Sequence, residues 1–230
     1  MSIFSNPTII EALNILKTEI PLATWETIYV TIIATLFSFI IGLPLGILLV
    51  TGEKNGIRPI NKALLHGINT VINLLRSVPF LILMILVFPL TRLIVGTAVG
   101  TVATIVPLVI AAFPFVARLA ESSFREIDQG TLEAAISMGS SPFQIVTKVL
   151  IPESIPSLIS NGTIALTTIL GYSAMSGIIG GGGLGKIAIN YGYYRYQYVV
   201  MAIAVLLLII LVQFFQTAGT KLAITSDKRN

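Results

Sequence analysis

Long apolar stretches alternate with short polar ones along this chain. A membrane-crossing helix takes about 20 apolar residues, and five stretches reach that scale: Thr27–Val50, Asn73–Leu90, Thr97–Ala117, Ile155–Ile179 and Val199–Thr217. The first carries no charge, and Arg92 and Gly96 part the second from the third. A membrane barrel would instead show strands of about ten alternating residues, so the pattern predicts an all-α, polytopic membrane protein with five transmembrane helices. The start of the chain reads differently. Asn6 can cap a helix and Pro7 suits its first position, while Ile9, Ile10, Leu13, Leu16 and Ile20 fall on one face and Glu11, Lys17 and Glu19 interrupt it. Residues 1–22 are expected to be an interfacial segment, with no signal-peptide pattern. Residues 23–218 are expected to form the transmembrane domain and 219–230 a cytoplasmic tail.

Composition agrees with a bilayer environment. Of 230 residues 55% are hydrophobic and 10% charged, against roughly a quarter charged in soluble domains, and the mean hydropathy is +0.93. The net charge of +4 is read as orientation rather than as nucleic-acid binding. With the C-terminus cytoplasmic, ten of the fourteen Lys and Arg residues lie inside or at the inner boundary, and Lys17, Arg92, Lys186 and Arg195 lie outside. The bias predicts N-out, C-in. There is no cysteine and a single histidine, His66, so thiolate chemistry and a His-ligated catalytic metal are excluded. No catalytic residue and no metal site is expected.

Between the third and fourth spans, residues 118–156 are too polar to span and too patterned for a linker. Leu132, Glu133, Ala134 and Ala135 are good helix formers, and Gly139 sits where a helix would end in a left-handed turn. Ser141-Pro142-Phe143-Gln144 reads as a capping box with proline at the first helical position. Two short helices broken at Gly139 are expected, with Phe143, Ile145 and Val146 as an apolar knob and Lys148 as a charge. The pattern alone fits either a partnerless interfacial hairpin or a helix offered to the groove of a partner.

Glu133-Ala134-Ala135, then Gly139, then Val149, Ile151 and Pro152 resemble the EAA loop of ABC importer permeases: Glu-Ala-Ala, three residues, Gly, nine residues, Ile, one residue, Leu-Pro. Val149 and Ile151 are conservative departures. Further segments, including Leu75–Phe80, Thr91–Thr97, Gly171–Met175 and Gly180–Tyr194, resemble the permeases of methionine importers. The resemblance covers nearly the whole chain. It implies a type I permease of the bacterial cytoplasmic membrane that carries methionine, often both enantiomers. It implies a homodimer of permease chains, two cytoplasmic ATP-binding subunits that hold ATP and Mg, and an extracytoplasmic methionine-binding protein, with membrane lipids around the chain and no cofactor on it. The loop 128–152 would be the coupling element, with Glu133, Ala134, Ala135, Gly139, Pro142, Phe143, Lys148 and Pro152 as its docking residues.

Tyr172, Ser173 and Met175, beside Gly171 and Gly177, are candidates for the methionine path: a thioether adapts to thioether, and a tyrosine offers a hydroxyl on an apolar body. Ordinary packing is the alternative for them. Gly180–Lys186 nearly spells a phosphate loop, but Ile187 stands where Ser or Thr is needed, and a glycine-rich turn at a helix end is expected instead. Asn161-Gly162-Thr163 matches a glycosylation site but falls inside a span. Gly42 and Gly46 suggest close helix packing, or Pro44 between them a kink. Arg76 and Arg118 are expected to snorkel. The spans hold almost no carboxylate, with Glu26 at a boundary, which disfavours an ion-coupled carrier. A permease for another polar amino acid remains the nearest alternative.

Overall fold

The computed structural model describes residues 14–54 and 56–227. The expected cap at Asn6, Pro7 and the apolar positions Ile9, Ile10 and Leu13 lie outside them. Every regular element among the described residues is helical. Residues 14–18 are helical and a turn at Glu19 leads into α1, Ile20–Thr51. α2 is Lys62–Ser77, α3 Phe80–Leu86, α4 Phe88–Val95 and α5 Ile105–Arg125. α6 is Gln129–Ser137 and α7 Pro142–Ile145. A π-helical turn, Val146–Leu150, joins α7 to α8, Ile151–Ser176. α9, Gly183–Ile187, opens into a π segment, Ala188–Tyr194, before α10, Tyr198–Ser226. Among the described residues four helical stretches are long and apolar enough to cross a membrane, and the pair α2–α3, bent by 109°, brings the number to five if it is counted as one span.

The second span is therefore broken where a continuous helix is expected. Proline disfavours helical backbone in the residue before it. Val78 accordingly takes extended backbone (φ −81°, ψ 128°) ahead of Pro79 and ends α2. The third helix starts at Ile105, later than expected. Gly96 (φ 85°) and Gly100 (φ 110°) adopt left-handed backbone, and the Gly100 N–H donates to Gly180 O at 2.9 Å, so residues 97–104 form a turn anchored to the glycine-rich segment. The same helix runs past Ala117 to Arg125 because its charges are paired. Arg118 Nη1 donates to Glu121 Oε2 at 2.6 Å, and its Nη2 donates to Asn69 Oδ1 at 2.7 Å and Asn73 Oδ1 at 3.0 Å. Arg118 is thus bonded to protein rather than snorkelling. Arg76 is exposed.

The chain forms two compact units. One comprises the chain up to Thr35 with Phe80–Val109 and Leu166–Phe215; the other comprises Leu36–Pro79, Ile110–Ala165 and the chain from Gln216. In the first, Ile15, Ile20 and Ala23 bury against Leu184, Ile187, Val200 and Ala204, with Leu16 packed on the same cluster. In the second, Ala120, Phe124, Ile127 and Leu150 form one cluster and Leu49, Ile72 and Ala117 another. Gly42 and Gly46 let α1 lie directly on α5 here. A β-carbon at Gly46 would lie 2.7 Å from Ala120 Cβ, and one at Gly42 2.8 Å from Phe113 O. α10 continues to Ser226, beyond the expected end at Thr217, and a β-carbon at Gly219 would lie 2.6 Å from Thr163 Cγ2.

Candidate functional site

The EAA segment is built by local backbone chemistry. Asp128 caps α6, its Oδ1 accepting from Gly130 N at 2.6 Å. The other end closes as a Schellman motif: the Gly139 N–H donates to Ile136 O at 2.9 Å and the Ser140 N–H to Ala135 O at 3.1 Å. Gly139 has φ 77°, which a β-carbon opposes. The spacing from Ala135 to Gly139 is thus the spacing from the third-last helical carbonyl to the residue that must turn left-handed. Ser141 then starts α7 with the expected capping box. Its N–H donates to Gln144 Oε1 at 2.8 Å, and the Gln144 N–H donates to Ser141 Oγ at 3.4 Å. Pro142 occupies the first turn, where a missing N–H costs nothing.

The second helix of the loop is not short. It runs on through the π turn into α8. Pro152 has no N–H for Lys148 O. The ladder widens just before it, with the Ile151 N–H donating to Val146 O, five residues back. The apolar knob is also narrower than expected. Ile145 is buried and Val146 packs into the cluster around Phe124, whereas Phe143 stays 76% exposed. Ile136 and Met138, from the α6 side of the break, are 52% and 84% exposed. Glu133, Ala134 and Lys148 are exposed, and Ala135 and Ile151 are half-buried.

The loop is braced. Leu132 of α6 and Val146 and Ile151 of the second arm pack on the cluster that contains Ala120 and Phe124 of α5. Arg125 ends α5 between two carboxylates, Glu53 at 2.6 Å and Glu121 at 2.8 Å. Beside them is a groove of about 710 Å³ lined by Glu53, Phe124, Arg125, Leu132, Glu133 and Ile136. Such an element is packed on α5 and leaves the apolar side chains of Ile136, Met138 and Phe143 and the carboxylate of Glu133 exposed. Asp128 was absent from the expected docking set, although an aspartate before a helix former is a recognisable cap signal.

In the other unit, Tyr172 stacks flat on Phe80, with centroids 4.5 Å apart and planes 5° apart. Met175 is 47% exposed, and a β-carbon at Gly171 would meet nothing within 4 Å. Gly171 and Met175, four apart, share a helix face, so an open strip runs along this side of α8. Ser173 is not on it. It is buried, and its hydroxyl donates to Leu170 O at 2.8 Å. Beyond Met175 come a 3-10 turn, Gly177–Ile179, and left-handed backbone at Gly180 (φ 88°) and Gly183 (φ 80°). The segment forms a hairpin rather than a phosphate loop. Its backbone N–H groups are taken by protein: Gly183 N donates to Glu26 Oε2 at 2.8 Å and Leu184 N to Thr27 Oγ1 at 2.9 Å. Glu26, read from sequence as a boundary charge, is therefore an internal acceptor. No group of His, Cys, Asp and Glu able to hold a metal occurs among the described residues.

Comparison with known proteins bears on both regions. The family described as "Binding-protein-dependent transport system inner membrane component" matches residues 42–219. The probable D-methionine transport system permease protein MetI of Vibrio cholerae is 50% identical over 210 residues, covering 90% of this chain and 92% of that protein. The D-methionine transport system permease protein MetI of Escherichia coli K12 is 46% identical over 153 residues, covering 66% of this chain and 70% of that protein. Among solved structures, the inward-facing MetNI methionine ABC transporter (CY5 SeMet soak crystal form) superposes with a TM-score of 0.87 at 40% identity, covering 99% of this chain and 100% of that one. An amino acid ABC transporter solved with histidines shares the fold alone, with a TM-score of 0.74 at 20% identity. With the family pattern spanning both the EAA loop and the glycine-rich hairpin, the chain belongs to the inner-membrane permease components of binding-protein-dependent ABC transport systems.

Proposed function

We propose that this chain is the permease of an ATP-driven methionine importer. Two copies would form the path across the cytoplasmic membrane, two ATP-binding subunits would dock on their EAA loops, and an extracytoplasmic binding protein would deliver the substrate. The observation that carries the reading is the braced loop: a Schellman stop at Gly139, a capped restart at Ser141 and an exposed Phe143 on a core shared with α5. A short rigid element with an apolar tip suits a groove in a partner. Movement imposed on it passes to α5 by rigid-body displacement. ATP and Mg belong to the partner, and this chain contributes the lever.

The N-out, C-in orientation is part of the proposal and is supported by the excess of Lys and Arg on one side of the spans. It puts the EAA loop in the cytoplasm and the glycine-rich hairpin outside. Methionine would pass along the strip of α8 that carries Tyr172 and Met175. There a flexible thioether can follow the substrate's own thioether, and the stacked Phe80 fixes the Tyr172 ring. Ser173, with its hydroxyl bonded inside the helix, shapes α8 behind that face.

The identity of the substrate is tested with the purified complex and its binding protein, loaded in turn with L-methionine, D-methionine and other polar amino acids. Methionine-loaded protein is expected to stimulate ATP hydrolysis most. Stronger stimulation by another amino acid would move the chain to the alternative reading. The path is tested by a Tyr172→Ala, Met175→Ala double variant. Complexes that assemble but take up methionine more slowly are expected, and unchanged uptake contradicts the assignment.

A further inference from the structure

A carboxylate within an apolar helix is costly unless it is used. Glu26, in α1, is engaged through both oxygens. Oε1 accepts from Thr101 Oγ1 at 2.9 Å and Oε2 from Gly183 N at 2.8 Å. The next residue accepts as well: Thr27 Oγ1 takes Leu184 N at 2.9 Å and donates its own proton to Ala23 O, also at 2.9 Å. Helix starts leave N–H groups without partners, and α9 begins after Gly182, which has no side chain to cap it. Glu26 and Thr27 supply from α1 the cap that the local sequence lacks.

The approach needs the glycines. A β-carbon at Gly182 would collide with Thr101 Oγ1 and lie 2.7 Å from Glu26 Oε2, and one at Gly183 would lie 2.5 Å from Thr27 Oγ1. The turn that carries Thr101 is tied to the same hairpin through Gly100 N and Gly180 O. On its other side the hairpin grips the end of α8. Gly181 N donates to Ser176 O at 2.9 Å, and Ser176 Oγ donates to Ser173 O at 2.6 Å. A β-carbon at Gly177 would lie 2.7 Å from Gly185 C. A continuous set of short contacts thus runs from the Glu26 carboxylate to the turn of α8 that bears Tyr172 and Met175.

We propose that Glu26 is the positioning residue of the outer gate. Its carboxylate clips the Gly180–Gly185 hairpin and so sets the end of α8 that carries Tyr172 and Met175. This rests on the orientation and path proposed above. The chemistry requires two acceptors on one side chain. In Glu26→Gln the amide keeps one acceptor oxygen: placed on Gly183 N–H, it leaves the NH₂ facing the Thr101 hydroxyl, which must turn from donor to acceptor, and both bonds lose their charge assistance. Loss of one charge-assisted hydrogen bond shifts a closed-to-open equilibrium by roughly tenfold or more.

The test uses the full complex in proteoliposomes, normalised to assembled complex. E26Q is expected to raise ATP hydrolysis in the absence of binding protein, to lower methionine transported per ATP, and to raise ATP-independent efflux of preloaded methionine about tenfold. A merely structural role would lower yield and leave these ratios as in the wild type. Thr101→Val removes one donor and keeps the carboxylate, and it is expected to fall between wild type and E26Q. It decides the matter if E26Q fails to assemble. Wild-type ratios in assembled E26Q, or in assembled T101V where E26Q is lost, overturn the proposal. The wild-type complex run alongside separates the two readings. Absence of methionine uptake there refutes the substrate, whereas the clip is still read from hydrolysis without binding protein, which needs no substrate.

Discussion

Gly139→Ala is the sharpest perturbation of the EAA loop, because its cost comes from the backbone alone. No atom lies within 4 Å of where the new β-carbon would sit, so no clash contributes. The φ of 77° places an L side chain in left-handed backbone, at roughly 1–2 kcal/mol. Alanine also favours continuing α6, which would undo the bonds to Ile136 O and Ala135 O and displace the Ser141 cap. If the ATPase accepts only the turned loop, the apparent Kd rises by the inverse of the turned fraction, about 5- to 30-fold per loop. Asparagine tolerates left-handed backbone at helix ends, so Gly139→Asn should recover much of that loss. The assay is binding of the purified ATPase to nanodisc-embedded permease by biolayer interferometry, with the thermal midpoint of the permease as control; Gly139 is exposed and that midpoint should hold. Wild-type affinity for G139A, or an Asn variant as weak as the Ala variant, would refute the reasoning.

Two further outcomes follow from packing and pairing. Gly46→Leu should destabilise the permease by about 1–3 kcal/mol, since even a β-carbon would stand 2.7 Å from Ala120 Cβ and 2.9 Å from Ala117 O. Gly67→Ala, mid-helix in α2 with nothing within 4 Å, should stabilise by about 0.5–1 kcal/mol; thermal unfolding in detergent reads both, and equal shifts would discount the packing argument. Arg118→Leu removes the donor to Glu121 Oε2, Asn69 Oδ1 and Asn73 Oδ1 together, leaving Glu121 with Arg125 alone, and should cost about 2–3 kcal/mol, with Arg118→Lys losing less. An unchanged unfolding midpoint for the leucine variant would return Arg118 to a snorkelling role.

What could be read from the sequence was local. The stop at Gly139 and the restart at Ser141 depend on residues within a few positions, and both appear as expected. Ile145 is expected in the apolar knob but is buried, and Val146 packs on the cluster of Phe124 and Leu150, where Phe124 comes from another part of the chain and is not set by local spacing. The second arm is expected to be short, but a π turn just before Pro152 accommodates its missing donor and the helix runs on. Likewise the expected second span, Asn73–Leu90, runs through Pro79, whose bias against helix in the preceding residue ends α2 at Ser77. Arg118 and Glu26 were misread for a common reason. Their partners lie 49 and 157 positions away, and a charge inside an apolar run gives no sign of whether it meets lipid headgroups or a buried acceptor. The glycine-rich hairpin shows the limit from the other side: a turn at a helix end is legible in the glycine run, but the close approach of Glu26 and Thr101 to its backbone joins residues far apart in sequence.

The central claim is that this permease moves methionine only when an ATPase drives its EAA loop. It is tested most directly by uptake of radiolabelled methionine into proteoliposomes holding the permease, the ATP-binding subunit and the binding protein. The account predicts uptake that requires ATP and all three components and is lost when the ATPase is omitted. Uptake by the permease alone, driven by a proton or sodium gradient, would contradict it.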